Sequence, residues 1–288
     1  MVTLTRPTWN IKGSASIVFF YFGDGYLTTL AQETTKLTKA LEGYDYSVLL
    51  KHDVTVGPFE ISAAAANAAN VTMTPTQSNL VQAIKDTAAK GYMIDLWIFS
   101  HGRDGEFRVS SGNNGSAGKF TAAEITRELG KEGTGFNSLP IRTVYQMNCY
   151  GRSLNASWRG IGAKASMGAR FVNFYPNQFA RFADRWSEGA SFAEARDDAD
   201  NDATRTVVQT YLAMVRAPSC NREWGSCPFG KTILGDDPCA KDYLTTMWIG
   251  NSEWQAGLSG KENINYASFK AISGDKTLTR RSEPGWTK

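Results

Sequence analysis

The chain has 288 residues, of which 42% are hydrophobic and 20% charged, an ordinary globular balance with room for a substantial core. A net charge of +3 is too small to argue for nucleic acid or a membrane surface as partner. Four Cys exclude a disulfide-dense scaffold, and the apolar run near the start, Ile17 to Phe22, is far short of the roughly 20 residues that a membrane-crossing helix needs. No basic leader with a small-residue cleavage site precedes that run, so the expected location is the cytoplasm.

Residues 1–15 read as a polar lead-in, 16–274 as one domain and 275–288 as a polar, mobile tail. Ser16 to Phe22 is rich in β-branched and aromatic residues and predicts a first strand, broken by Gly23-Asp24-Gly25. Leu27, Leu30, Leu37 and Leu41 predict a helix that Gly43 stops. Tyr46 to Leu50 predicts a second strand, and Val56 to Asn70 fits no element. Thr74-Pro75-Thr76-Gln77 has the form of a capping box, followed by an apolar face at Leu80, Val81, Ile84 and Ala88. Glu106 to Gly118 predicts a hairpin, and Thr121 to Glu124 a second capping box with Ile125 and Leu129 on one face. Ala169 to Tyr175 predicts a fifth strand that Pro176 stops. Phe179, Phe182, Ala183 and Trp186 are at helical spacing, and Ser191 to Glu194 caps a further helix running to about Val215. Strands alternating with helices imply a mostly parallel sheet covered on both faces. Residues 216–240 hold three Cys and three Pro and read as a long loop. Lys231 to Pro238 and Tyr243 to Ile249 predict late strands.

Two stretches carry chemistry. Ile94-Asp95-Leu96-Trp97-Ile98-Phe99-Ser100 is an apolar strand that ends in His101-Gly102. Ile141 to Asn148 has the same form and ends in Cys149, with Gly151 close behind. Two strands that deliver a His and a Cys to one end of a sheet can make a nucleophile–base pair, because a thiol attacks a carbonyl only as thiolate and a His can take its proton. The chain has two His; His52 sits in the solvated context Lys51-His52-Asp53, which leaves His101 as the base. The bland alternatives are a satisfied loop His and a Cys that is a small buried hydrophobe.

The His101–Cys149 separation is close to the roughly 50 residues of the caspase pattern. Phe99-Ser100-His101-Gly102, Asn148-Cys149-Tyr150-Gly151, the strand order and the helix start at Gly189 to Ala195 together resemble the caspase-like (clan CD) cysteine peptidases, among them metacaspases, legumain, clostripain and gingipain. The resemblance spans roughly residues 16–215. It implies an α/β/α sandwich around a mostly parallel sheet of about six strands. It also implies a His101–Cys149 dyad, and an oxyanion hole made by the backbone N–H groups of Gly102 and Cys149. No third member of a triad is assignable. The implied activity is that of a thiol protease, a hydrolase cutting polypeptide substrates, with no cofactor and room for a regulatory protein partner.

For the substrate site the expected lining is Asp24, Ser100, Asp104, Met147 and Asn148. Asp24, at the end of the first strand, would bind an Arg or Lys before the scissile bond. It also reads as a turn residue between two glycines. Met147 stands where several relatives carry an acid, which favours an apolar residue such as Leu instead. Other readings of the same residues are a caspase-like scaffold that binds without turnover and an amidase or transpeptidase using the same dyad. Asp197 to Asp202 lacks the Gly and terminal Glu of a calcium loop, so a solvated acidic face is expected there, with calcium as the alternative. Cys220, Cys227 and Cys239 are expected as thiols in a reducing compartment, or as one disulfide and one thiol in an oxidising one; zinc is the alternative.

Overall fold

The computed structural model describes residues 9–21, 40–51, 69–111, 117–135, 138–169, 176–199 and 265–269. Runs of apolar residues bounded by turns become the strands β1 (Gly13–Tyr21), β2 (Tyr46–Leu50), β3 (Val71–Met73), β4 (Tyr92–Ser100), β8 (Ile141–Met147), β9 (Ala165–Ala169) and β10 (Asn265–Phe269) of one sheet. Its order is β10-β9-β8-β4-β1-β2-β3; β10 runs antiparallel to β9, and the other six strands are parallel. β5 (Gly102–Arg103), β6 (Glu106–Ser110) and β7 (Ala117–Thr121) form a small antiparallel sheet directly after β4.

Residues alternate between two apolar layers, as a strand's period of two requires. Ile17, Phe19, Leu96, Ile98 and Val144 face the layer that holds α1 (Gln77–Ala89), α2 (Ala122–Leu129) and α4 (Asn155–Ile161). Val18, Phe20, Trp97, Phe99, Tyr145 and Met147 face the layer that holds Phe179, Phe182 and Trp186 of α5 (Pro176–Glu188) and Phe192 of the next helix, α6 (192–199). The short α3 (Lys131–Thr134) follows α2. The result is an α/β/α sandwich with a mostly parallel central sheet, the expected caspase-like architecture. Among the described residues no helix is long and apolar enough to cross a membrane.

The capping boxes at Thr121 and Ser191 form as expected: each hydroxyl accepts the backbone N–H three residues on, and Glu124 and Glu194 accept the cap N–H in return. The start of α1 differs from the expectation. Its cap is Thr76, which accepts from Asn79 N–H, and Pro75 lies outside the helix. The reason is tertiary: the Pro75 carbonyl accepts from Ser110 N–H at 2.8 Å, and Thr76 bridges Ser110 at the end of β6, so this segment is extended. The fifth large strand is β9, four residues before the expected start at Ala169. Its Gly168 lies so close to Gly151 that a Cβ would come within 2.4 Å of the Gly151 carbonyl carbon. Small residues are therefore required where strand propensity looks for large ones. Residues 170–175 of the expected strand lie outside the described residues, as do most of the Leu27–Leu41 helix, the loop 216–240, both late strands and the tail.

Candidate active site

The chain starts in the middle of the sheet at β1, runs out through β2 and β3, then crosses back to β4, β8 and β9. The order therefore reverses between β1 and β4, and open α/β sheets take their ligands at the carboxyl ends beside such a reversal. His101 follows β4 at that place.

β4 and β8 pair in parallel with one irregularity. Ile94 is level with Ile141, but Asp95 is level with Thr143, so Arg142 is an extra residue bulging from β8. From there the pairing runs without further shift to Phe99 and Met147. Two residues beyond that pair on each strand stand His101 and Cys149. Neighbouring strands are about 4.8 Å apart, so the register brings the two segments out at the same end of the sheet, where Gly102 packs against the Cys149 carbonyl. Both are half-buried, and Cys149 is in no disulfide.

The turn after β8 is tightly built. Tyr150, directly after Cys149, has φ 58° and ψ 19° and is the one non-glycine residue with positive φ among the described residues. Left-handed backbone at a bulky residue is costly and persists only where its surroundings impose it. Here the Tyr150 carbonyl accepts from Ser153 N–H at 2.9 Å and from Ser153 Oγ at 2.7 Å, at the start of the 3-10 turn Gly151–Leu154. Beneath the turn lies a buried polar network. Gln146 Nε2 donates to Asn155 Oδ1 at 2.9 Å, Gln146 Oε1 accepts from Trp158 Nε1 at 3.0 Å, and Ser166 Oγ donates to Asn155 Oδ1 at 2.7 Å. It ties the end of β8 to the start of α4 and to β9, fixing the direction in which the Cys149 turn leaves the sheet.

Asn148 is 0% exposed, and its Nδ2 donates to the Cys149 carbonyl at 3.3 Å. Its carboxamide fills the space between two glycines. A Cβ on Gly102 would lie 2.6 Å from Cys149 O and 2.7 Å from Asn148 Nδ2, and one on Gly151 would lie 3.2 Å from Asn148 Oδ1. The glycine after His101 is thus demanded by the packing of the two segments on each other. Gly102→Ala is expected to cost about 1–3 kcal/mol of stability, as overpacking does, and to push the His101 and Cys149 segments apart. Denaturant unfolding of the variant measures the cost.

The turn after His101 is held as firmly. Arg108 N–H donates to the His101 carbonyl at 2.8 Å, so the Gly102–Phe107 pair falls between hydrogen-bonded pairs. The Gly102 N–H consequently turns away from β6. Glu106, buried, takes Arg103 Nε at 2.6 Å and Lys119 Nζ at 3.5 Å. Burial alone would raise its carboxyl, but Arg103 and Lys119 overcome this and hold it below the ordinary carboxylate range.

Of the residues expected to line the substrate site, Asp104 is exposed in the turn between β5 and β6. Ser100 is 2% exposed and donates its hydroxyl to Arg108 O at 2.7 Å; Met147 is 6% exposed and packs under α5. These two and Asn148 support the site from within the protein. Asp24 and His52 lie outside the described residues. Asp197 pairs with Arg196, and Asp198 with Arg185 at 2.6 Å; the rest of the acidic run, like Cys220, Cys227 and Cys239, is outside the described residues.

Tyr150, Ser153, the Gln146 network, Asp95 and Arg142 are not among the residues expected at the site. A charged residue inside each of two apolar strands is the signal that points to the last pair.

No protein-family model matches the chain, and no curated protein matches it.

Proposed function

We propose that the chain is a cysteine peptidase that cleaves polypeptides through a His101–Cys149 dyad. The observation that carries this reading is the register of β4 and β8, which brings the segments bearing His101 and Cys149 out together at the carboxyl ends of two adjacent central strands, beside the sheet's topological reversal. The left-handed Tyr150 next to the thiol supports it, since backbone of that kind gathers at functional turns. In the proposed reaction His101 takes the proton of Cys149, and Sγ attacks the scissile carbonyl carbon. The backbone N–H groups of Gly102 and Cys149 receive the oxyanion. The tetrahedral intermediate collapses, His101 gives its proton to the departing amine, and an acyl-enzyme remains. Water, deprotonated by His101, then attacks the thioester; the acid leaves and the thiol recovers its proton.

The preference for Arg or Lys before the scissile bond is proposed on Asp24 alone. A fluorogenic peptide library varied at that position, run on the wild type and Asp24→Ala, tests it; a preference for Leu ends the basic reading. The peptidase reading itself is tested with an acyloxymethyl-ketone peptide panel. One covalent adduct per chain at Cys149 is expected, together with release of product from the matching peptides. Absence of both across basic, acidic and apolar sequences counts against the function.

A further inference from the structure

We propose that Ser153 is a positioning residue for the dyad, its hydroxyl tying the turn that follows His101 to the turn that follows Cys149. This deepens the peptidase reading and rests on it. Ser153 Oγ accepts from Gly105 N–H at 2.7 Å and donates to the Tyr150 carbonyl at 2.7 Å. The direction of both bonds is forced, because a backbone N–H can only donate and a carbonyl can only accept. One hydroxyl therefore joins the two turns in a single arrangement.

Each end of the tether is itself anchored. Gly105, at φ 75°, forms the turn between β5 and β6, and its carbonyl accepts from Ala122 N–H at 2.9 Å at the start of α2. Tyr150 is the strained residue beside the nucleophile, and its carbonyl accepts from both the N–H and the hydroxyl of Ser153. Gly102 also packs against Asn148 and Cys149, a contact that resists approach of the segments but by itself does not stop them from separating. The Ser153 hydroxyl adds a restraint against separation. It also helps hold Tyr150 in its left-handed state, and with it the backbone direction at Cys149.

A residue with this role does not touch substrate. Its loss lowers turnover through misplacement of the reacting groups and leaves binding nearly unchanged. Ser153→Ala is expected to reduce kcat about 10- to 100-fold with little change in KM, and Ser153→Thr, which keeps the hydroxyl, to restore most of it.

The deciding experiment compares the pH dependence of Cys149 alkylation by iodoacetamide in wild type, His101→Ala, Ser153→Ala and Ser153→Thr. A thiol paired with His stays reactive to lower pH than one without it. The expected result is a wild-type profile extending to lower pH than that of His101→Ala, a Ser153→Ala profile moved toward His101→Ala, and a Ser153→Thr profile near wild type. If wild type and His101→Ala differ while Ser153→Ala matches wild type, the Ser153 role is overturned and the peptidase reading stands. If wild type and His101→Ala coincide, there is no dyad and both fall. Amide hydrogen exchange of the wild type gives an independent check that needs no variant: Gly105 N–H is expected to be protected, and rapid exchange there overturns the tether.

Discussion

Cys149→Ala is expected to remove peptide hydrolysis altogether, and His101→Ala to lower it about 10²- to 10⁴-fold, the usual contribution of a positioned base. The asymmetry follows from the roles. Without the thiol no acyl-enzyme forms, whereas without the imidazole the thiol still ionises to the extent that the pH allows. The double variant should be no worse than Cys149→Ala, because the two side chains serve one chemical step. Both variants should stay folded. Each residue is half-buried and lies beyond the end of its strand, and the tight contacts of this turn are made by Cys149 O, Asn148 and the two glycines, none of which the substitutions alter. His52→Ala should change turnover little. Circular dichroism and thermal melting establish the fold, and initial rates on the best peptide of the panel establish the activity. Hydrolysis near the wild-type rate by Cys149→Ala would rule out the dyad.

The parts of the fold that are legible in the sequence are those where one local signal suffices. β2 appears at its expected bounds, Tyr46–Leu50, because a short, mostly apolar run with Tyr46 and Val48 follows the turn residues Gly43 and Asp45 and ends before the charged Lys51-His52-Asp53. The helices after Thr121 and Ser191 start where their capping boxes place them, since a hydroxyl and a carboxylate three residues apart satisfy each other without outside help. Helix α1 shows the limit. Thr74 and Gln77 spell a plausible cap, yet a hydrogen bond from Ser110, far along the chain, holds Pro75 extended and moves the start to Gln77. Strand β9 is hidden for a related reason: its small residues answer to the close approach of Gly151, which no local pattern reveals.

The same division runs through the candidate site. His101 and Cys149 stand out because each follows an apolar strand and precedes a glycine. What brings their segments out together is not visible in either strand alone. Pairing carried on from Ile94 and Ile141 without a bulge would leave the last paired residue of β4, Phe99, opposite Gln146, and the extra Arg142 brings it opposite Met147, two residues before Cys149. Ser153 is equally silent in the sequence, since a serine four residues after a Cys signals nothing until the hairpin turn is seen above it. Ser100, Met147 and Asn148 are near the chemistry in sequence, but strand alternation and the packing of Gly102 put them inside.

Arg142→Ala and Asp95→Ala are each expected to destabilise the protein by about 3–5 kcal/mol, because either leaves a buried charge without its partner. Asp95 is 0% and Arg142 1% exposed. Arg142 Nε donates to Asp95 Oδ1 at 2.9 Å, and Nη2 donates to Oδ2. Thr143 Oγ1 donates to Oδ1 at 2.7 Å and Tyr44 OH to Oδ2 at 2.8 Å, while the guanidinium lies 5.5 Å over the Trp186 ring. Arg142 and Thr143, adjacent in sequence, thus reach the same carboxylate, which is possible only because the bulge turns both to one face. Burial alone would raise the Asp95 carboxyl; the Arg142 charge and the hydrogen bonds from Arg142, Thr143 and Tyr44 outweigh it and hold the group below the ordinary carboxylate range. A carboxyl depressed in the folded state contributes its full stability above the unfolded value of about 3.9 and loses it as the pH falls below that toward the folded value. Denaturant unfolding of the wild type should therefore weaken as the pH drops below about 4. The double variant Asp95→Leu/Arg142→Met removes both charges at similar volume. It should cost far less at pH 7 than either single substitution, and its stability should fall less steeply in acid. A cost under about 1 kcal/mol for Arg142→Ala, or equal acid slopes for wild type and double variant, would show that the pair does not hold the bulge in place.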